Sequence, residues 1–312
     1  MTFSESISQP AIQVLPPCRD LSVGVEAVIA DVVTSLRSEF IETEYTAHYF
    51  KSLDNYRKMG QGVRVIGPRL SGKSKASKRY GELTEKKTAY TDVPANCSSR
   101  RMHERLLKAV RHADPGGRRT DLQSKLAGCL IPFGYEMIIV DQGEKLQEEA
   151  LADLAALMGE KGIPVVVCGT PTLDQYLDGI GLLGWFPNLY PFGSLTANDL
   201  TQTLNKIENQ YLRLPEPSNL ATGENFQTLA IYTHSYIGLI INVIEKAVVQ
   251  SLQKGHSSID SSILKQISEK YGKRYVDPKL VLQAASSGSS MPSPPALPSQ
   301  AETSEPPNTS TS

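Results

Sequence analysis

The sequence lacks most of the features that would assign it to a specialised class of protein. Its 312 residues include only four cysteines, with no C-x-x-C pair, so neither a disulfide framework nor a cysteine-ligated zinc site is expected. The five histidines form no H-E-x-x-H motif. Because the net charge is −1, any binding to nucleic acid or anionic lipid must come from a local patch.

Neither a membrane-spanning nor a secretory segment is expected from the sequence. The longest apolar run, around Ile237 to Ile244, is far shorter than a membrane span. Glu5 stands near the N-terminus, where a secretory signal would have basic residues. We therefore expect a cytoplasmic protein with reduced cysteines and no membrane partner.

One highly specific motif is present. Residues 67–74 fit G-x-x-x-x-G-K-[ST] and follow a short apolar run at 63–66. In such a phosphate-binding loop, successive backbone N–H groups converge on the phosphates, and the next helix directs its positive end at them. The candidate nucleotide ligands are Gly67, Pro68, Arg69, Leu70, Ser71, Gly72, Lys73 and Ser74. The alternative interpretation is a glycine-rich surface turn.

The cofactors that this motif predicts are ATP and Mg²⁺. Lys73 is expected to reach the β- and γ-phosphates, and Ser74 to hold the metal ion. A second metal ligand is expected in Asp141, because it ends the apolar stretch 136–141 after the loop.

The residues around Asp141 determine whether ATP can be cleaved. Active ATPases of this architecture usually have a glutamate after this aspartate, whereas this chain has Gln142, and an amide is a very poor proton acceptor. Glu144 is a weaker candidate for that role; alternatively, its charge stabilises a helix N-terminus. Thr170 is the candidate sensor of the γ-phosphate, and its alternative role is to cap the following helix.

The hydrophobic pattern predicts an α/β fold. Strands alternate with helices up to about residue 192, which favours a parallel sheet flanked by helices, and only helices follow, as a small C-terminal helical lid. The predicted regions are an N-terminal arm and helix (1–42), the α/β nucleotide-binding domain (43–194), the helical lid (195–276) and a disordered Ser/Pro-rich tail (277–312).

Residues 98–125 are strongly basic, with eight Lys or Arg against three acidic residues. This balance suits contact with the phosphate backbone of duplex DNA; the alternative is an ordinary solvated surface. The residues expected to bind DNA are Arg100, Arg101, Arg111, Arg118, Arg119 and Lys125.

Taken together, several segments resemble the TnsC/TniB group of AAA+ transposition regulators, which is related more distantly to MuB. The resemblance covers about residues 40–275. The segments that carry it are 67–74, 90–96, the strand ending at Asp141 together with Lys145-Leu146, 167–170 together with Leu173, and 235–238. The resemblance implies an AAA+ P-loop NTPase that binds ATP at subunit junctions and forms rings or helical filaments on duplex DNA.

The same resemblance implies partners and a setting. Proteins of this group link a target-selection protein, TniQ-like in some systems, to the transposase, and some serve CRISPR-associated transposons. We therefore expect a bacterial, nucleoid-associated protein of DNA transposition and recombination that assembles with copies of itself.

Three departures from the family pattern predict weak or absent hydrolysis. Besides Gln142, the segment 184–190 has no arginine where relatives are arginine-rich, and Leu239 stands where relatives often have an arginine. Arginines supplied in trans stabilise the transition state of phosphoryl transfer. The alternatives to an ATP-binding regulator with weak hydrolysis are a fully active DNA-stimulated ATPase of the same family and a P-loop small-molecule kinase.

Tyr45 is a candidate for stacking on the adenine ring of the nucleotide; the alternative is that it is a core residue.

Overall fold

The computed structural model describes residues 18–275, and its centre is a five-stranded parallel sheet. The strands lie in the order β2-β3-β4-β1-β5, and every neighbouring pair is parallel. Their bounds are β1 Val63–Ile66, β2 Thr88–Asp92, β3 Met137–Asp141, β4 Val165–Gly169 and β5 Asn188–Pro191. Because β3 and β4 are buried along their whole length, they are continuous apolar runs without polar alternation.

The sequence pattern does not predict strand β5. Only Tyr190 of its four residues is buried, and the strand ends in Pro191, so it carries little apolar signal. A proline is tolerated there because β5 is an edge strand, paired with β1 on one side only.

Helices cover both faces of the sheet. One face packs on α2 and α3, and the other on α4 to α7. The helices of this part are α2 Glu44–Met59, α3 Lys73–Leu83, α4 Ser99–Ala109, α5 Arg119–Cys129, α6 Glu148–Lys161 and α7 Pro171–Gly179. The α/β fold predicted from the alternation of strands and helices is confirmed.

The predicted helical lid has its own core, which also includes the first helix of the chain. The lid helices are α8 Ala197–Lys206, which continues as a π-helical turn over Ile207–Leu212, α9 Gly223–Thr233, α10 Ile237–Gln253 and α11 Ser261–Tyr275. Apolar residues of α1, Val25–Ser38, pack into the same cluster. Within residues 18–275, no helix combines the length and apolarity needed to cross a bilayer.

Arg19 fastens the segment before α1 to the lid. Its buried guanidinium donates hydrogen bonds to the carbonyl oxygens of Leu212 (2.8 Å) and Tyr211 (2.9 Å). The first 17 residues of the predicted arm and the tail predicted at 277–312 lie outside the described residues.

A buried aspartate of the lid caps a helix of the α/β part. Asp199 on α8 is 3% exposed and accepts hydrogen bonds from the backbone N–H groups of Glu44 and Tyr45, both at 3.0 Å. These N–H groups belong to the first turn of α2, which has no intrahelical partners for them. The same junction uses the Tyr45 hydroxyl, which donates to the carbonyl oxygen of Pro191 and accepts from the N–H of Gly193. Tyr45 therefore has a structural role.

We expect Asp199→Ala to destabilise the protein because it leaves two partly buried N–H groups of the first turn of α2 without their partner. The loss in the free energy of unfolding should be about 1–3 kcal/mol, measured by urea denaturation. The control is Asp178→Ala, on the exposed side of α7, which should change it by less than about 0.5 kcal/mol. Equal effects of the two substitutions would contradict the capping role.

Candidate nucleotide site

The loop at residues 67–74 connects the end of β1 to the start of α3. Leu70 and Gly72 have left-handed backbone angles, with φ of 61° and 99°, which turn the chain tightly before the helix begins. Lys73 is 8% exposed, and its Nζ donates a hydrogen bond to the carbonyl oxygen of Pro68 at 3.0 Å. Burial lowers the pKa of Lys73, and the nearby carboxylates of Asp141 and Glu144 oppose that shift.

The loop residues fit a polyphosphate. Ser71 is 1% exposed, and its Oγ has no hydrogen-bond partner among the residues that the structure describes. A buried hydroxyl without a partner is unfavourable unless a ligand completes it. Phosphate oxygens would accept hydrogen bonds from this hydroxyl and from the ammonium group of Lys73, which donates to the carbonyl oxygen of Pro68.

Asp141 lies beside Ser74 at the carboxyl edge of the sheet. The Ser74 hydroxyl lies near the Asp141 carboxyl group, and the N–H of Gln142 donates to Asp141 Oδ1 at 2.9 Å. Burial raises the pKa of Asp141, and the interactions with Ser74 and with the N–H of Gln142 oppose that shift. Ser74 and Asp141 would supply oxygen ligands to Mg²⁺, which neutralises phosphate charge when it is bound.

The side chain of Gln142 is hydrogen-bonded to Lys145. Its Oε1 accepts a hydrogen bond from Nζ of Lys145, and its backbone is left-handed, with φ of 63°. Positive φ is uncommon for a residue other than glycine and occurs often at functional turns. The amide oxygen, which is the acceptor of this side chain, is thus already in use.

Glu144 and Thr170 lie together at the end of β4. The Thr170 hydroxyl donates to Glu144 Oε1 at 3.4 Å and is also hydrogen-bonded to Thr172. The other carboxylate oxygen, Oε2, is buried and has no partner within residues 18–275. Thr170 precedes α7 without capping its backbone N–H groups, and its hydroxyl bonds instead to the side chains of Glu144 and Thr172.

The lid closes over the phosphate-binding loop. A Cβ on Gly238, in the first turn of α10, would lie 2.5 Å from the carbonyl oxygen of Leu70, so only glycine allows this approach. Between the loop and the lid is a cavity of about 250 Å³. Its apolar walls come from Phe40, Ile41, Leu70, Ile237 and Ile241, and Lys73, Ser74 and Lys75 line its polar end.

The sequence did not indicate Phe40, Ile41 and Ile241, because Ile241 lies at least 200 residues from the other two and the three form no motif. Leu239, in contrast, is buried in the core of the lid, so its side chain is directed away from solvent and into that core.

The residues predicted to bind DNA fall into two groups. Arg100, Arg111, Arg119 and Lys125 form ion pairs with carboxylates, whereas Arg101 and Arg118 are exposed and have no ion pair within residues 18–275. Arg119 is the most constrained, because it bonds to both Glu149 and the buried Asp153 and so ties α5 to α6.

Comparisons with known proteins identify the class of this fold. A family model described as an AAA domain matches residues 58–177, and no curated protein matches the sequence. Among solved structures, Cdc6p of Pyrobaculum aerophilum is similar at 14% identity over 86% of this chain and 75% of that chain, with a TM-score of 0.59.

Two further structures come from Aeropyrum pernix. Its ORC1 protein in complex with DNA is similar at 13% identity, over 81% of this chain and 75% of that chain, with a TM-score of 0.60. Its ORC2 protein, in ADPNP-ADP complexes, is similar at 12% identity, over 88% and 73%, with a TM-score of 0.53. The chain thus has the AAA+ P-loop NTPase fold, shared with Cdc6 and ORC structures, and an AAA domain implies a nucleotide ligand.

Replacing Gly238 with alanine should weaken nucleotide binding, because the new Cβ would push the lid away from Leu70. We expect the dissociation constant of a fluorescent ATP analogue to rise at least about tenfold, equivalent to about 1.4 kcal/mol. The control is Gly128→Ala in α5, where an added Cβ would meet nothing within 4 Å. Unchanged affinity in Gly238→Ala would show that the lid does not help to form the site.

Proposed function

We propose that this chain is an ATP-binding AAA+ regulator of DNA transposition. It oligomerises on duplex DNA as a ring or helical filament and links a TniQ-like target-selection protein to the transposase, in the nucleoid of a bacterium. ATP with Mg²⁺ serves mainly as the ligand that holds subunits together, and hydrolysis is weak or absent. The proposal combines the AAA+ fold with the family resemblance of the site segments.

The observation that carries the proposal is a site equipped to hold ATP but poorly equipped to cleave it. Lys73, Ser71 and the Ser74–Asp141 pair offer the groups that a nucleotide and its metal ion need. The residue after Asp141 is Gln142, whose amide oxygen is bonded to Lys145. An amide cannot take the proton of an attacking water, so binding is retained without the usual means of cleavage.

The absence of arginine from residues 184–190 supports slow hydrolysis. Residues 184–190, which form a short 3-10 turn and part of β5, contain no arginine. Arg64 on β1 contacts this segment, but it donates to backbone carbonyl oxygens there and pairs with Asp174. Its guanidinium is therefore used inside the subunit.

Exposed cations on α4 and at the start of α5 support DNA binding. Arg101 and Lys108 are seven residues apart, which places them on the same side of α4, and both are exposed. Neither these two nor Arg118 has an ion pair within the part of the chain that the structure describes. A set of free surface cations suits contact with phosphate groups and carries no base specificity.

The test of assembly is a gel-shift titration of duplex DNA with and without ATP at one fixed ionic strength. ATP with Mg²⁺ should lower the apparent dissociation constant by at least about tenfold, and Lys73→Ala should abolish this gain because the variant loses a charged bond to phosphate. A protein that ignores DNA, or binds it equally without ATP, would contradict the proposal. Rapid multiple-turnover phosphate release that Lys73→Ala abolishes would instead favour a fully active ATPase.

Removing free cations should weaken DNA binding and reduce its salt dependence. For the double variant Arg101→Gln, Arg118→Gln, the slope of log K against log salt should fall in magnitude by about 2, because two phosphate contacts are lost. The matched control is Lys51→Gln, Lys58→Gln, which removes the same charge from the exposed face of α2. If both double variants change the slope equally, the effect comes from net charge and not from a DNA-binding face.

A further inference from the structure

We infer that Glu144 is the proton acceptor in the residual hydrolysis of ATP at this site, in the place of Gln142. The inference rests on the proposed function, since it concerns the same nucleotide site, and it identifies the residue that limits how long ATP-dependent assemblies persist.

Gln142 is unsuited to the role for reasons of geometry as well as chemistry. Its only acceptor atom, Oε1, is bonded to the ammonium group of Lys145, and its remaining side-chain atom is a donor. Its N–H bonds to Asp141, so the backbone also has a fixed place. The amide oxygen keeps one lone pair free, but an amide does not take up a proton from water, so this side chain cannot act as the base.

One carboxylate oxygen of Glu144 makes no hydrogen bond within the described residues. Oε1 accepts a hydrogen bond from the Thr170 hydroxyl at 3.4 Å, whereas Oε2 is buried without any partner among the described residues. A buried carboxylate oxygen that makes no bond is costly, and water or substrate would relieve that cost. An oriented carboxylate with one free oxygen is what proton transfer from water requires.

The Glu144 carboxylate lies at the carboxyl edge of the sheet, where the phosphate-binding loop and Asp141 also lie. A Cβ on Gly169, the last residue of β4, would lie 2.6 Å from Glu144 Oε2, so the carboxylate occupies space that only glycine leaves open. Because β4 lies between β1 and β3, its end is flanked by the phosphate-binding loop and by Asp141. The charge of Glu144 is close enough to oppose the lowering of the Lys73 pKa, which places it within the field of the phosphate-binding lysine.

The chemical step is in-line hydrolysis. The oxygen of a water molecule forms a bond to the γ-phosphorus, and the bond from that phosphorus to the bridging oxygen of ADP breaks, with its electron pair remaining on ADP. The proton released by the water passes to the carboxylate of Glu144. Thr170 is a positioning residue, since it acts by holding the other oxygen of that carboxylate.

The test compares Glu144→Gln with the wild-type chain, both assembled on duplex DNA. Glu144→Gln keeps the size of the side chain and its bond to Thr170 but removes the proton acceptor. We expect single-turnover phosphate release to fall at least about tenfold, since a general base contributes about 10²–10⁴ to a rate. The affinity for a non-hydrolysable ATP analogue should stay within about twofold of the wild type.

A second measurement follows the dissociation of the protein from DNA and not the release of phosphate. With ATP bound, wild-type complexes challenged with competitor DNA should dissociate faster than complexes of Glu144→Gln, and the non-hydrolysable analogue should remove the difference. The matched control is Glu148→Gln, an exposed glutamate in the first turn of α6, which should behave as wild type in both assays.

Several outcomes would overturn the inference. The first is that Glu144→Gln releases phosphate as fast as the wild type. The second is that Glu144→Gln loses affinity for the analogue as strongly as it loses activity, which would make Glu144 a binding residue. The third is that the wild type releases phosphate no faster than Lys73→Ala. The last result would leave the proposed function intact. A wild-type chain that does not assemble on DNA with ATP would contradict the proposed function instead.

Discussion

The burial of two charged side chains, Lys73 and Asp141, at the carboxyl edge of the sheet constrains the rest of this structure. Lys73 and Asp141 are 8% and 1% exposed, and a charge that is buried without partners would be strongly unfavourable. Their partners come from separate segments, namely Pro68, Ser74, Gln142 and the neighbouring carboxylate of Glu144. The strand order, with β4 between β1 and β3, brings these segments to one place. A phosphate group would add negative charge beside Lys73, so ligand binding and the stability of this edge are coupled.

The lid depends on the same edge for its position. Gly238 touches the backbone of Leu70 within the phosphate-binding loop, while Asp199 caps the helix that leads into β1. Both contacts join lid residues to the segments on either side of that strand. One contact is a close approach of two backbones, and the other joins a buried carboxylate to two backbone N–H groups. This arrangement gives a physical basis for coupling the position of the lid to nucleotide binding at the loop.

Much of the fold was predictable because its signals are local. The run Val165–Val167 shows a buried strand, and the glycines of residues 67–74 show a phosphate-binding loop, each within a few residues. β5 was not predictable, since its place depends on pairing with β1 and not on its own side chains. The bond from Lys145 to Gln142 and the unpartnered oxygen of Glu144 are likewise tertiary facts. The sequence shows which polar residues follow β3, but only their geometry shows which atoms remain available.

The charge run at residues 98–125 illustrates the difference between composition and available charge. Four of its six predicted DNA-binding residues are paired with carboxylates, and one of them, Arg119, joins α5 to α6. Arg101, Lys108 and Arg118 remain free within the described residues, which is few for a single subunit. Since affinity for duplex DNA rises with the number of phosphates contacted, three cations per copy would bind weakly alone and tightly in an array. A requirement for ATP in forming the array would then make DNA binding depend on ATP, although no DNA-contacting cation need touch the nucleotide.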